Sequence, residues 1–221
     1  GRLTARCLDT IVEHSEDYRL ILIDNGSTDE ELKYWLYNRL PAVYIRNERN
    51  RGFVKAVNQG LKMVIAPFVV IMNNDTEAVE GWLEKLSEPF QYDCSIGAVG
   101  PLTTTPNSWQ GRTEPADEWG VLPDGSMVAF FCTMFRRDAI SQVGLLDESF
   151  GIGLGDDDEY CWRLWQNGWK VALTGKLTIP HKHRTTFKAL YTDDQIKEMQ
   201  TKALKRFEEV KNGSYGTKTS C

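Results

Sequence analysis

Phe68-Val69-Val70-Ile71-Met72-Asn73-Asn74-Asp75-Thr76 decides how this chain reads. An apolar, β-branched run stops abruptly at two amides and a carboxylate. Such a run predicts a strand buried on both faces, as inside a parallel sheet. Polar groups delivered at the carboxyl end of that strand sit where open α/β sheets bind ligands. A carboxylate flanked by amides can hold a hard cation, and the cation can hold a diphosphate. The same tripeptide also reads as an ordinary Asx turn closing a strand, so the flanking sequence has to choose.

Upstream, residues 3–14 place Leu3, Cys7, Leu8, Ile11 and Val12 on one helical face. Leu20–Ile23 is a short strand running into Asp24-Asn25-Gly26-Ser27-Thr28-Asp29, turn chemistry with a helix start near Thr28. Pro41 stops that helix, Val43–Arg46 is a second strand, and a polar loop over 47–52 leads to a helix carrying Phe53, Val57, Leu61 and Val64. Downstream, a helix over 79–90 and a strand over 96–99 follow. Strands alternating with helices at this spacing predict an α/β fold with a mostly parallel, Rossmann-like sheet flanked by helices, in one domain. Residues 103–126 read as a long loop that carries Trp109 and Trp119 and either folds over a ligand or packs. Beyond it come a long strand over 127–135, a helix over 138–143, and a Gly-rich turn over 151–155. A helix over 156–167, a strand over 169–174 and an amphipathic helix over 193–211 complete the series, and the tail after 212 reads as flexible.

Bulk composition narrows the function. Of 221 residues, 41% are hydrophobic, enough for a substantial core. A net charge of −5 argues against a nucleic-acid partner engaged through a basic surface. No apolar run is long enough for a transmembrane segment, which leaves peripheral membrane contact open. The five cysteines (Cys7, Cys94, Cys132, Cys161 and Cys221) are scattered without a CxxC pair, so neither a disulfide framework nor a zinc site is expected and a cytoplasmic location is.

Three acidic sites stand at strand ends or helix starts. Asp24 can accept hydrogen bonds from a base or ribose, or simply make a turn and cap the next helix. Asp75 closes the opening stretch. The run Asp156-Asp157-Asp158-Glu159 contains more acid than a helix dipole accounts for; crowding should raise some of its pKa values and suit one member to general-base work. His181 and His183, in alternate positions on an extended segment, share a side. Either could give an imidazole to a cation on Asp75, or contact phosphate, or pack.

Taken in order, these segments resemble glycosyltransferase family 2, inverting enzymes of the GT-A fold. The resemblance runs from about Arg6 to Phe187 and rests on 23-IDNGSTD-29, 50-NRGFVKAVNQG-60, 73-NNDT-76, 144-GLLDESF-150 and 156-DDDEYCWR-163. The chain closely resembles the rhamnosyltransferase-like branch of the family. The resemblance implies a nucleotide-sugar-binding half over 1–101 and an acceptor-binding half over 102–191, with 192–212 a C-terminal helix and 213–221 a tail. Asp24, with Asn25 and Ser27 of the same motif, would hold the donor's nucleotide. Asn50 and Gly52, with Lys55 and Asn58 behind them, would line its pocket. Asn73-Asn74-Asp75 matches the DXD-type metal motif, so Mn²⁺ or Mg²⁺ would sit on Asp75, and His181 matches a histidine near the metal. Asp156 and Asp157 match the family's Glu-Asp pair, making Asp157 the catalytic base, and the acceptor would be a glycan, a glycolipid or another hydroxyl. Two departures stand out. Asn73 replaces the first acid of the metal motif, and the apolar strand and Pro-x-Tyr-Asn-like turn that usually open the family are not present, the sequence starting at the helix after them. Truncation, a sheet that does without that strand, and replacement by another segment all remain open. The expected activity is metal-dependent inverting transfer from a nucleoside diphosphate sugar; the alternative is a non-catalytic nucleotide- or sugar-binding domain of the same fold. A sugar-nucleotide pyrophosphorylase is disfavoured, because no Gly-rich, basic N-terminal loop for a triphosphate is found.

Overall fold

The structure, a computed structural model, describes residues 2–28, 30–38, 41–106, 108–182 and 192–213. The opening stretch forms β3 (Phe68–Met72), where β-branched side chains suit the pleat. Its ladder differs from expectation. It pairs antiparallel with β6 (Cys132–Arg136), Val70 opposite Met134, and lies at the edge of a five-stranded sheet. Next to β6 comes β4 (Ile96–Thr103), then in parallel β7 (Lys170–Ile179), then in antiparallel β5 (Trp119–Val121). Strands β3, β4 and β7 therefore run one way and β5 and β6 the other, so the sheet is mixed. All eight residues of β4 are buried, as befits a central strand covered on both faces.

A second, two-stranded parallel ribbon joins β1 (Ile21–Asp24) to β2 (Val43–Arg46). Helices, rather than a backbone ladder, tie it to the larger sheet. On one face α1 (Arg2–Glu13) packs Cys7 and Ile11 against Phe68, Val70 and Met72. The same helix sends Leu8 to Leu20, Leu22 and Trp35, the last on α2 (Glu30–Asn38). On the opposite face α3 (Phe53–Leu61) packs Val54 and Leu61 with Val69 and Ile71. Gly60 of α3 lies over Ile21 and Ile23 of the ribbon. Alternate residues of β3 thus serve two helices, as the period of two requires. Helix α4 (Trp82–Tyr92) buries Trp82, Leu86 and Phe90 on the α1 side.

The segment after Thr103 holds more structure than its composition predicts. A single helical turn, α5 (Trp109–Arg112), and strand β5 lie within it. The strand expected over 127–135 begins only at Cys132. Upstream of it, side chains satisfy the backbone in place of a ladder: Ala129 N–H donates to Gln110 Oε1 (2.8 Å), and Val128 C=O accepts from the Cys161 thiol. Helix α6 (Arg137–Val143), a 3₁₀ turn at Glu148–Phe150 and α7 (Asp156–Gln166) follow, and β7 runs five residues past the expected end at 174. Helix α8 (Asp193–Asn212) opens with a capping box between Thr192 and Gln195. No described helix is long and apolar enough to cross a membrane.

Candidate active site at the strand ends

The carboxyl ends of β3, β4 and β7 meet at one corner. There Asp75 is 8% exposed, and its Oδ1 lies 3.2 Å from His181 Nε2. The imidazole is fixed from several directions. It stacks on Phe131 at 4.9 Å between centroids and 12° between planes. Its backbone pairs with Thr76, donates to the Thr104 hydroxyl and accepts from the Thr105 hydroxyl. The Asp75 carbonyl accepts from Lys182 N–H. Beneath the corner, the Cys7 thiol donates to the Asn73 carbonyl, and burial pushes its pKa up to about 11, so it adds no charge. Asn74 is exposed and donates to Thr4 on α1 (2.8 Å), while Asn73 anchors the turn by accepting from Thr76 N–H and its hydroxyl. His183 lies outside the described residues.

The pair fits a hard cation. Adjacent ligands about 2.1 Å from an octahedral ion stand about 3 Å apart, close to the observed separation. Among the described residues no group of three or more His, Cys, Asp and Glu could hold a metal. Two protein ligands completed by phosphate and water is the arrangement such ions favour in phosphate sites.

The second corner joins the end of β1 to the loop between β2 and α3. Asp24 is buried, and its carboxylate accepts from Ser27 N–H (2.7 Å), Tyr44 O–H (3.0 Å) and the Arg46 guanidinium, with the Ser27 side chain also bonding to it. Burial pushes its pKa up, but the Ser27 and Tyr44 hydrogen bonds and the Arg46 charge outweigh it, and the net shift is downward. Asn25 donates to Asn50 Oδ1 (2.8 Å) and to the Gly52 carbonyl, and accepts from Asn47 and from Arg51 N–H. Asn47 and Gln59 exchange two amide hydrogen bonds, at 2.8 and 3.0 Å. Gly52 has φ +87°, and a Cβ there would lie 2.6 Å from the Gly151 carbonyl oxygen, so only glycine lets the two loops meet. Lys55 is half-buried on the first turn of α3. Asn58 faces elsewhere: it clamps Leu146 through both its amide groups (2.9 and 3.0 Å) and supports the loop before α7.

The third corner is the first turn of α7. Its four acids divide by role. Glu159 is fully buried and forms a two-point ion pair with Arg163 (2.5 and 2.8 Å). Arg163 also donates to the Val143 and Leu145 carbonyls and lies over the Tyr160 ring. Asp158 faces Lys211 of α8. That leaves Asp156, buried, and Asp157, partly exposed and accepting from Asp158 N–H at the helix start. Burial, with the charges of Asp158 and Glu159, lifts Asp156 to about 7; burial and the neighbouring Asp156 and Asp158 charges hold Asp157 well above the usual carboxylate range.

A stability signature follows. The folded chain keeps its Asp156 proton up to about pH 7, whereas an unfolded carboxyl loses it near 3.8. Between those values the folded state binds more protons, so stability falls as pH rises through the window. Asp156→Asn should therefore raise the melting temperature at pH 8, by about 2–4 °C per kcal/mol recovered, and leave it near wild type at pH 4. Thermal melts across that range check this; an equal effect at both pH values contradicts it.

The model of glycosyl transferase family 2 matches residues 2–144. This chain belongs to that family. It is 25% identical over 218 residues to polypeptide N-acetylgalactosaminyltransferase 18 of Homo sapiens, covering 84% of this chain and 36% of that one. It is 25% identical over 170 residues to the poly-β-1,6-N-acetyl-D-glucosamine synthase of Staphylococcus aureus strain COL, covering 71% of this chain and 40% of the synthase. The chain thus spans less than half the length of these curated relatives. A mannosyltransferase from Pyrobaculum calidifontis, solved with GDP-Man and Mn²⁺, superposes with a TM-score of 0.64 over 81% of this chain and 53% of its own, at 18% identity. The fold is the GT-A glycosyltransferase fold.

The family match ends at Gly144, before α7 begins. Sequence reasoning missed Tyr44, Arg46, Asn47, Gln59 and Phe131. Arg46 had a signal: it ends β2 directly opposite Asp24 in the parallel register, and only that register was lacking. Phe131 had none, because 127–135 read as one continuous strand.

Proposed function

We propose that this glycosyltransferase-family chain transfers a sugar, with inversion, from a nucleoside diphosphate sugar to a hydroxyl of a glycan or glycolipid. The Asp75–His181 pair at the end of β3 carries this reading, because it offers the ligands a diphosphate-bound cation needs. Bound there, Mn²⁺ or Mg²⁺ would stabilise the charge developing on the leaving diphosphate. The remaining work falls to the chain. Asn73 and Asn74 shape the turn that presents Asp75. Asp24, Asn25, Ser27, Asn50, Gly52 and Lys55 cradle the nucleoside and its phosphates, with Arg46 and Tyr44 holding Asp24. Asp157 takes the proton from the acceptor oxygen as that oxygen bonds to the anomeric carbon and the bond to phosphate breaks. A raised pKa suits a base that works near neutral pH. The neighbouring Asp156 charge helps hold the Asp157 pKa up, and Asn58 steadies the loop before α7.

Asp75→Asn tests the metal corner. With one carboxylate in the donor set, its loss should abolish Mn²⁺-dependent tightening of UDP or GDP binding, read by titration calorimetry, while metal-free nucleotide affinity stays unchanged. Unaltered Mn²⁺ dependence in this variant contradicts the assignment.

A further inference from the structure

The two tryptophans between β4 and β6 go to different places. Trp119 lies in β5, its ring 6.2 Å from Tyr92, paired with Thr174 at the far edge of the sheet. Trp109 lies on α5 with 40% of its surface exposed, and its indole N–H donates to Met127 Sδ at 3.4 Å. Its turn is fastened to the metal corner. Ser108 N–H donates to the Thr105 carbonyl, and a Cβ on Gly111 would fall 1.8 Å from that oxygen. The Thr105 hydroxyl donates in turn to the His181 carbonyl. The other side of Trp109 is fastened to α7. Met127 sits between Ser126, whose carbonyl takes the Trp165 N–H (2.8 Å), and Val128, whose carbonyl takes the Cys161 thiol. Cys161 lies one turn beyond Asp157 on the same helix face, close enough for the Asp157 charge to bear on its thiol.

Hydrogen bonds and short stretches of chain therefore tie Trp109 both to the corner that would hold the donor's phosphates and to the helix that carries the group that would deprotonate the acceptor. We propose that its exposed indole face is the platform on which the acceptor sugar stacks, which makes it a specificity-determining residue for a pyranoside acceptor. The proposal rests on the transfer activity above. A pyranose ring turns C–H bonds to one face, and these suit the electron-rich face of an indole while the hydroxyls stay free to react. The N–H bond to Met127 already fixes the ring, so little side-chain freedom is lost when a sugar lands. A purely structural Trp109, covering Met127, is the reading to be excluded.

The test measures acceptor KM, kcat and metal-dependent donor hydrolysis side by side. The acceptors are β-1,6-linked N-acetylglucosamine oligosaccharides and a panel of methyl pyranosides. Trp109→Ala should raise acceptor KM about tenfold or more while donor hydrolysis and kcat stay near wild type, and Trp109→Phe should restore most of the affinity. An unchanged acceptor KM in an active enzyme overturns the role of Trp109 alone. So does a parallel fall in hydrolysis that Phe does not rescue. A wild type that hydrolyses donor yet accepts no pyranoside refutes the acceptor class, and one that never turns over donor brings down the proposed function and this platform with it.

Discussion

Asp157→Asn should leave donor binding near wild type and cut sugar transfer by about 10²–10⁴-fold, the usual worth of a positioned general base. The change is nearly isosteric and keeps the side-chain oxygen that accepts from Asp158 N–H, so the first turn of α7 should hold. It also removes one member of a crowded acid cluster, which should make the variant at least as stable as wild type. The combination separates the role from a folding defect: stability maintained or raised, nucleotide affinity kept, turnover lost. Parallel calorimetry, thermal melts and product analysis check it. Transfer at the wild-type rate would remove Asp157 from the reaction.

The second large effect is structural. Arg163→Met should destabilise the fold by about 3–5 kcal/mol, because it leaves Glu159 buried, charged and unpaired. The guanidinium also satisfies the Val143 and Leu145 carbonyls, each worth about 1–3 kcal/mol if left without a donor. The double variant Glu159→Leu/Arg163→Met should recover the charge penalty but not the carbonyl losses, and so fall between the single variant and wild type. Urea denaturation measures all three. A single variant within about 1 kcal/mol of wild type would mean that this pair does not hold the turn before α7.

Much of this was legible in residue order. The alternation of strand and helix, the polar stop after Met72 and the acid run after Gly155 each gave the right element type, and Asp75 and His181 do come together. What the sequence does not carry is pairing. Nothing local in Phe68–Met72 says that the neighbour will be an antiparallel β6, because apolar β-branched runs suit either ladder. Likewise, four consecutive acids look equivalent until the helix turns Glu159 inward onto Arg163 and leaves Asp157 partly exposed. Asn58 shows the same limit from the other side. It sits inside a nucleotide-pocket motif, yet its hydrogen-bond partner is 88 residues away at Leu146, a contact no local pattern encodes. The 127–131 segment misled for a related reason, since its backbone is satisfied by Gln110 and Cys161 from distant elements.

The most direct test is release of nucleoside diphosphate by the purified protein from UDP-N-acetylglucosamine, UDP-N-acetylgalactosamine, GDP-mannose and dTDP-rhamnose, with and without Mn²⁺, beside the Asp75→Asn and Asp157→Asn variants. The account predicts Mn²⁺-dependent release from one of these donors, lost in both variants, with Asp157→Asn still binding that donor. Tight, Mn²⁺-dependent donor binding with no release from any of them would contradict it and leave a binding domain in place of an enzyme.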